Sequence, residues 1–140
     1  MKLAGPVHYK LRDYADSDGV IVKVDKWLPV AETPCGYWLI PQRCDYYLYP
    51  DGSVRPIYES AYRSTRKWSP KLYPRAFNPD LKLAALSFRN RKAVQLRKLE
   101  WQLQQARQVN QYLAALEDSS VTEDGFNCGT PEEWIGLRWE

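Results

Sequence analysis

The sequence predicts an α+β protein: an antiparallel β-sheet of about five to six short strands, then a long C-terminal helix and a short terminal helix. Two observations carry this. Turn signals (Asp16-Ser17-Asp18-Gly19, Thr33-Pro34-Cys35-Gly36, Pro50-Asp51-Gly52) punctuate Val-, Tyr- and Trp-rich runs through the first sixty residues. From Leu81 to Glu117 no Gly or Pro occurs, and Ala, Leu, Gln, Arg and Lys dominate.

The first strand is expected over "VHYKLRDY" (7–14) and the second over "VIVKVDKWLPV" (20–30), joined at "DSDG". Val20, Val22 and Val24 fall on one face of the second, Lys23 and Asp25 on the other. "ETPCG" (32–36) is a turn, and "YWLIPQ" (37–42) a short apolar strand that Pro41 ends or places at an edge. "YYLYPDGSVRPIY" (46–58) reads as a hairpin about Pro50-Asp51-Gly52. "ESAYRSTRKWSPKLYPRAF" (59–77) reads as a last short strand and a connector.

The long helix opens at "NPDLKLAALSF". Asn78 is the expected N-cap, Pro79 suits the first helical position, and Asp80 complements the helix dipole. An unbroken run to Glu117 would span about 60 Å; a bend near Asn90 would divide it in two. Leu81, Ala84, Ala85 and Phe88 form a stripe suited to packing on the sheet. Leu96, Leu99, Leu103, Ala106, Asn110 and Leu113 then follow a 3-4-3-4-3 spacing, the seam of a coiled coil. Residues 1–117 thus read as one sheet-plus-helix domain. Residues 118–140 read as an acidic tail carrying a short helix over 131–139, with Thr130 as its N-cap and Glu133 completing a capping box.

Composition narrows the chemistry. His8 is the single histidine, and three cysteines (Cys35, Cys44, Cys128) show no CxxC spacing. A zinc site, a disulfide frame or a His-based nucleophile relay needs more partners. No glycine-rich phosphate loop is present, and Asp16 and Asp18 read as turn acids. The expectation is a protein without catalytic residues, metal or cofactor. No apolar stretch of signal-peptide or membrane-spanning length occurs, so the expected location is the cytoplasm, with no membrane partner.

Charge is strongly segregated. The net +3 hides a middle segment, Arg55 to Lys98, with twelve basic residues against two acidic ones. From Leu99 onward there are two basic residues and eight acidic ones. Solvated helix faces usually mix signs in i, i+4 pairs, so a nearly acid-free segment points to an anionic partner. Arg66, Lys67, Tyr73, Phe88, Arg89, Arg91, Lys92 and Gln95 are the candidate ligand-binding residues. Phe88, Arg91, Lys92 and Gln95 share a helix face. Guanidinium forks match phosphate oxygens, and an aromatic ring beside them can stack on a base. The same spacing suits Phe88 to the core and the charges to a solvated face; both readings stay open here.

The block "YPRAFNPDLKLAALSFRNRKAVQLRKLEWQLQQARQVNQYL" (73–113), preceded by "GYWLIP" and "RSTRKWS", resembles a group of small phage-encoded proteins. The likeness covers roughly residues 36–113. It is strongest at Pro79, Ala85, Leu86, Ser87, Phe88, Arg91, Lys92, Gln95, Leu99 and Leu103. Asn78-Pro79-Asp80 departs from the group's Pro-Thr helix opening, and the tail from Asp118 has no counterpart. The sheet-plus-helix layout is similar to that of phage anti-Thoeris proteins, which act as sponges for nucleotide immune signals.

The resemblance implies a phage counter-defence protein in the host cytoplasm. It would sequester a phosphate-bearing nucleotide-type molecule without cleaving it, as a homo-oligomer through the long helix. Arg89, Arg91 and Lys92 would clamp phosphates, Phe88 or Tyr73 would stack on a base, and Arg66, Lys67 and Gln95 would close the pocket. Two other classes fit the same residues. One is a nucleic-acid-binding or anti-CRISPR-like inhibitor, whose affinity falls steeply with salt. The other is a structural oligomerisation module with charges paired between chains.

Overall fold

The computed structural model describes residues 1–115 and 123–131. The chain divides into two compact units, Met1–Arg91 and Lys92–Glu140. The first holds four strands: β1 (His8–Asp16), β2 (Gly19–Thr33), β3 (Gly36–Pro41) and β4 (Lys67–Pro70). They form one antiparallel sheet in the order β1-β2-β3-β4. A helix α1 (Glu59–Thr65) precedes β4, and α2 (Leu81–Ala115) runs from the first unit into the second.

Local chemistry explains the first two turns. Asp16 Oδ1 accepts the Asp18 N–H at 2.8 Å, and Gly19 takes φ +124° to reverse the chain. Thr33 Oγ1 accepts from Gly36 N at 3.0 Å and donates to Gly36 O at 3.1 Å, closing the β2–β3 turn. Beyond the body of the sheet the β1–β2 ribbon is exposed: Val20, Val22 and Val24 are 78%, 53% and 46% accessible.

The sheet has four strands, not five or six. The expected hairpin over 46–58 keeps its turn, where Asp51 Oδ1 accepts from Ser53 N and Oγ, but loses its arms. Gln42–Tyr47 and Pro56–Tyr58 wind as 3₁₀ turns, and only the Leu48–Val54 bridge remains. The physical reason is burial. Consecutive Tyr47 and Leu48 are both buried, which the alternating faces of a strand forbid on one side. Tyr46, Tyr47 and Tyr58 instead cluster ring against ring, with centroids 4.8–5.3 Å apart.

Each sheet face has its own packing. Leu28 pairs with Ile40, and that face buries Cys44, Tyr47, Leu48 and Tyr62 of α1. On the other face lie buried Pro29, Leu39 and Ser69. There Ser69 Oγ donates to Phe77 O at 3.3 Å, Phe77 meets Trp27 edge-to-face, and His8 meets Tyr37. The 59–66 stretch, expected as strand and connector, is helical through Thr65, with β4 beginning at Lys67.

The helix start also differs in detail. Asp80, not Asn78, caps α2: its Oδ1 accepts Lys82 N at 2.8 Å and Leu83 N at 3.2 Å. Asn78 holds the approach, its Oδ1 taking Asp80 N and its backbone pairing with Tyr9. Of the stripe expected to pack on the sheet, Ala84 is fully buried and Phe88 half-buried, while Leu81 and Ala85 stay exposed. α2 is continuous through Asn90.

In the second unit Tyr112 stacks on Phe126 at 5.1 Å, and Gln108 Nε2 donates to Cys128 O at 2.6 Å. The expected terminal helix over 131–139 and most of the acidic tail lie outside the described residues. No helix among the described residues is long and apolar enough to cross a membrane.

Candidate functional site

The basic segment is less uniform in space than in sequence, because several charges already have partners. Arg63 reaches Glu59 at 2.9 Å along α1. Lys71 Nζ donates to Glu32 Oε1 at 2.6 Å; that hydrogen bond raises its pKa. These two cations are answered within the chain.

Arg66 is different. It follows α1, whose last turn closes with Arg66 N donating to Tyr62 O at 2.9 Å. Its guanidinium carbon lies 4.0 Å from the Trp38 ring centroid and 5.6 Å from that of Tyr62. Trp38 pairs across strands with Trp68, which is 43% exposed. Gly36 makes that geometry fit, since a Cβ there would lie 2.7 Å from two Trp68 ring carbons. Stacking holds a guanidinium by its face and leaves its N–H edge for planar anions. Arg66 has no carboxylate partner among the described residues.

The other candidate residues fall in separate places. Lys67 adjoins Arg66 in sequence but pairs with Leu39, so strand alternation puts it on the opposite sheet face from Trp68. Tyr73 is 90% exposed in the β4–α2 connection and holds a left-handed φ of +53°. Two residues on, Arg75 O accepts from Ser87 Oγ at 2.7 Å, which ties that connection to α2. One turn along, Arg91 lies 5.8 Å from the Phe88 ring. Arg89 is exposed. Lys92 and Gln95 belong to the second unit, where Lys92 Nζ donates to Gln95 Oε1 at 3.0 Å.

Of the candidate residues in the first unit, two cations lie on aromatic rings, Arg66 on Trp38 and Arg91 on Phe88. Sequence reasoning missed Trp38; its one signal was a Tyr-flanked position in a run already read as a strand. A cavity of about 310 Å³ lies elsewhere in this unit, lined by Arg12, Asp25, Lys26, Gln42 and Arg43 among others. Arg12, one of its three cations, is paired with Asp25 at 2.6 Å. Among the described residues, no three His, Cys, Asp or Glu side chains group to hold a metal ion.

Comparison with protein-family models, curated proteins and solved structures finds no match to this chain.

Proposed function

We propose that the protein is a non-catalytic binder of a phosphate-bearing, nucleotide-type molecule. In this reading it is a phage counter-defence sponge that works in the host cytoplasm and self-associates through α2. The observation that carries the reading is Arg66: a guanidinium pre-oriented on Trp38 at 4.0 Å, without an acid partner among the described residues, beside the exposed ring of Trp68. Phosphate would take the N–H edge, and a base would stack on the indole. Arg91 beside Phe88 offers a second grip of the same kind.

The test is capture and release. The protein is incubated with cyclic and linear nucleotide signals, separated from free ligand, and heat-denatured. Intact nucleotide in the supernatant supports the proposal. No retention at micromolar concentration, or recovery of a cleaved product, refutes it.

A second reading is binding to single-stranded nucleic acid, favoured by the openness of the Trp68 edge, where β4 ends the sheet. It predicts an affinity for oligonucleotides that falls linearly on a log–log salt plot. A mononucleotide competing at equal strength with an oligonucleotide argues for the first reading.

A further inference from the structure

In the second unit, the two sides of α2 have different fates. Trp101, Gln104, Gln108 and Tyr112 are half-buried, and the returning segment lies on Gln108 and Tyr112 through Cys128 and Phe126. The other side carries the 3-4-3-4-3 seam, with Leu96, Leu99, Leu103 and Leu113 each 49–58% exposed. Four half-exposed leucines in register are a surface awaiting cover.

The seam has an internal symmetry. Written as a heptad, Leu96, Leu103 and Asn110 take the a positions, and Leu99, Ala106 and Leu113 the d positions. Reversing the helix maps the set onto itself: 96 falls opposite 113, 99 opposite 110, and 103 opposite 106. An antiparallel second copy therefore forms mixed a–d layers with no position left over. The central layers set Leu103 of one copy against Ala106 of the other, large against small. A groove of about 470 Å³, lined by Gln102, Gln105, Ala106, Val109, Asn110 and Leu113, lies where that incoming leucine would seat. A parallel pair would instead face Ala106 with Ala106 and leave a void.

Charge selects the same orientation. Glu100 and Arg107 are the two charged residues between Leu99 and Leu113, and both take e positions. Neither has an ion-pair partner among the described residues. Antiparallel helices bring e against e, so Glu100 of each copy meets Arg107 of the other, twice by symmetry. A parallel pair sets e against g, where Gln95, Gln102 and Val109 stand, and makes neither contact.

We infer that α2 is the docking surface for a second copy of this chain, antiparallel, with Glu100 facing the partner copy's Arg107 across the seam. The inference gives a geometry to the self-association proposed above and is independent of the ligand.

The test is a charge swap in the full chain, read by sedimentation equilibrium across a concentration series, with helicity followed by circular dichroism. Glu100→Arg and Arg107→Glu each set like charges together at two places and raise the dimer dissociation constant roughly tenfold. The double variant Glu100→Arg/Arg107→Glu restores it. Mixing the two single variants also restores association, because each supplies the charge the other lacks. A wild-type chain that stays monomeric refutes self-association altogether. A dimer indifferent to the single changes overturns the antiparallel register alone, as does weakening that neither the double variant nor the mixture repairs.

Discussion

Gly36→Ala tests whether the sheet builds the Arg66 station. A Cβ at Gly36 would overlap the Ser69 carbonyl oxygen of the neighbouring strand and lie 2.7 Å from two Trp68 ring carbons. The carbonyl is backbone, so no rotamer relieves the clash. β3 and β4 must part at the Gly36–Pro70 and Tyr37–Ser69 pairs. Overpacking of this kind costs about 3 kcal/mol, the upper end of the usual range. In a domain of this size that lowers Tm by roughly 10–20 °C. Gly19→Ala is the comparison: nothing lies within 4 Å of its Cβ, and only the φ of +124° resists, at about 1–2 kcal/mol. The assay is thermal unfolding by circular dichroism, with tryptophan fluorescence reporting Trp68. A Gly36→Ala protein within about 0.5 kcal/mol of wild type, well inside the cost expected of overpacking, would refute the close packing argued for this edge.

Three further outcomes are expected. Asp80→Ala removes the acceptor of two helix N–H groups and a charge at the dipole's positive end, and destabilises by about 1–2 kcal/mol in urea unfolding. His8 is buried with Nδ1 donating to Pro6 O at 2.8 Å, and burial lowers its pKa below the usual 6.5. The unfolded chain then takes up a proton that the folded chain refuses. Stability is full above pH 6.5, declines as pH falls below it, and urea midpoints of His8→Gln lose that step. Leu103→Asp puts a charge in the central layer of the seam; sedimentation should find only monomer, with the sheet's thermal transition unchanged.

How much could be read in advance depended on whether the cause was local. The Asp16–Gly19 and Thr33–Gly36 turns are set by side chains within three residues, and both were legible, as was the long helix. The 46–58 arms were not, because Tyr47 and Leu48 give up alternation to bury side by side. Nor was α1: seven residues make a marginal helix on their own, and Tyr62 packing in the Leu28–Ile40 cluster stabilises it. The cap moved from Asn78 to Asp80 because Asn78 pairs with Tyr9, a contact almost seventy residues distant in sequence that no local pattern encodes.

The same division governs the site. The charge of the 55–98 segment was plain in the sequence, but its grouping was not. Arg66 and Lys67 are neighbours in the chain and fall on opposite faces once β4 takes its register with β3. Trp38 and Arg66 meet only because α1 returns the chain over the sheet. Arg63 and Lys71 looked equivalent to Arg66 until Glu59 and Glu32 proved to be their partners.

In the proposed function the Arg66–Trp38 station holds a phosphate-bearing ligand intact. Native mass spectrometry of the full chain after incubation with a nucleotide pool, beside Arg66→Ala, tests it most directly. The expected result is an added mass equal to an intact nucleotide on the wild-type chain, and its loss from a folded Arg66→Ala protein. Equal retention by both proteins, or no added mass on either, would contradict it.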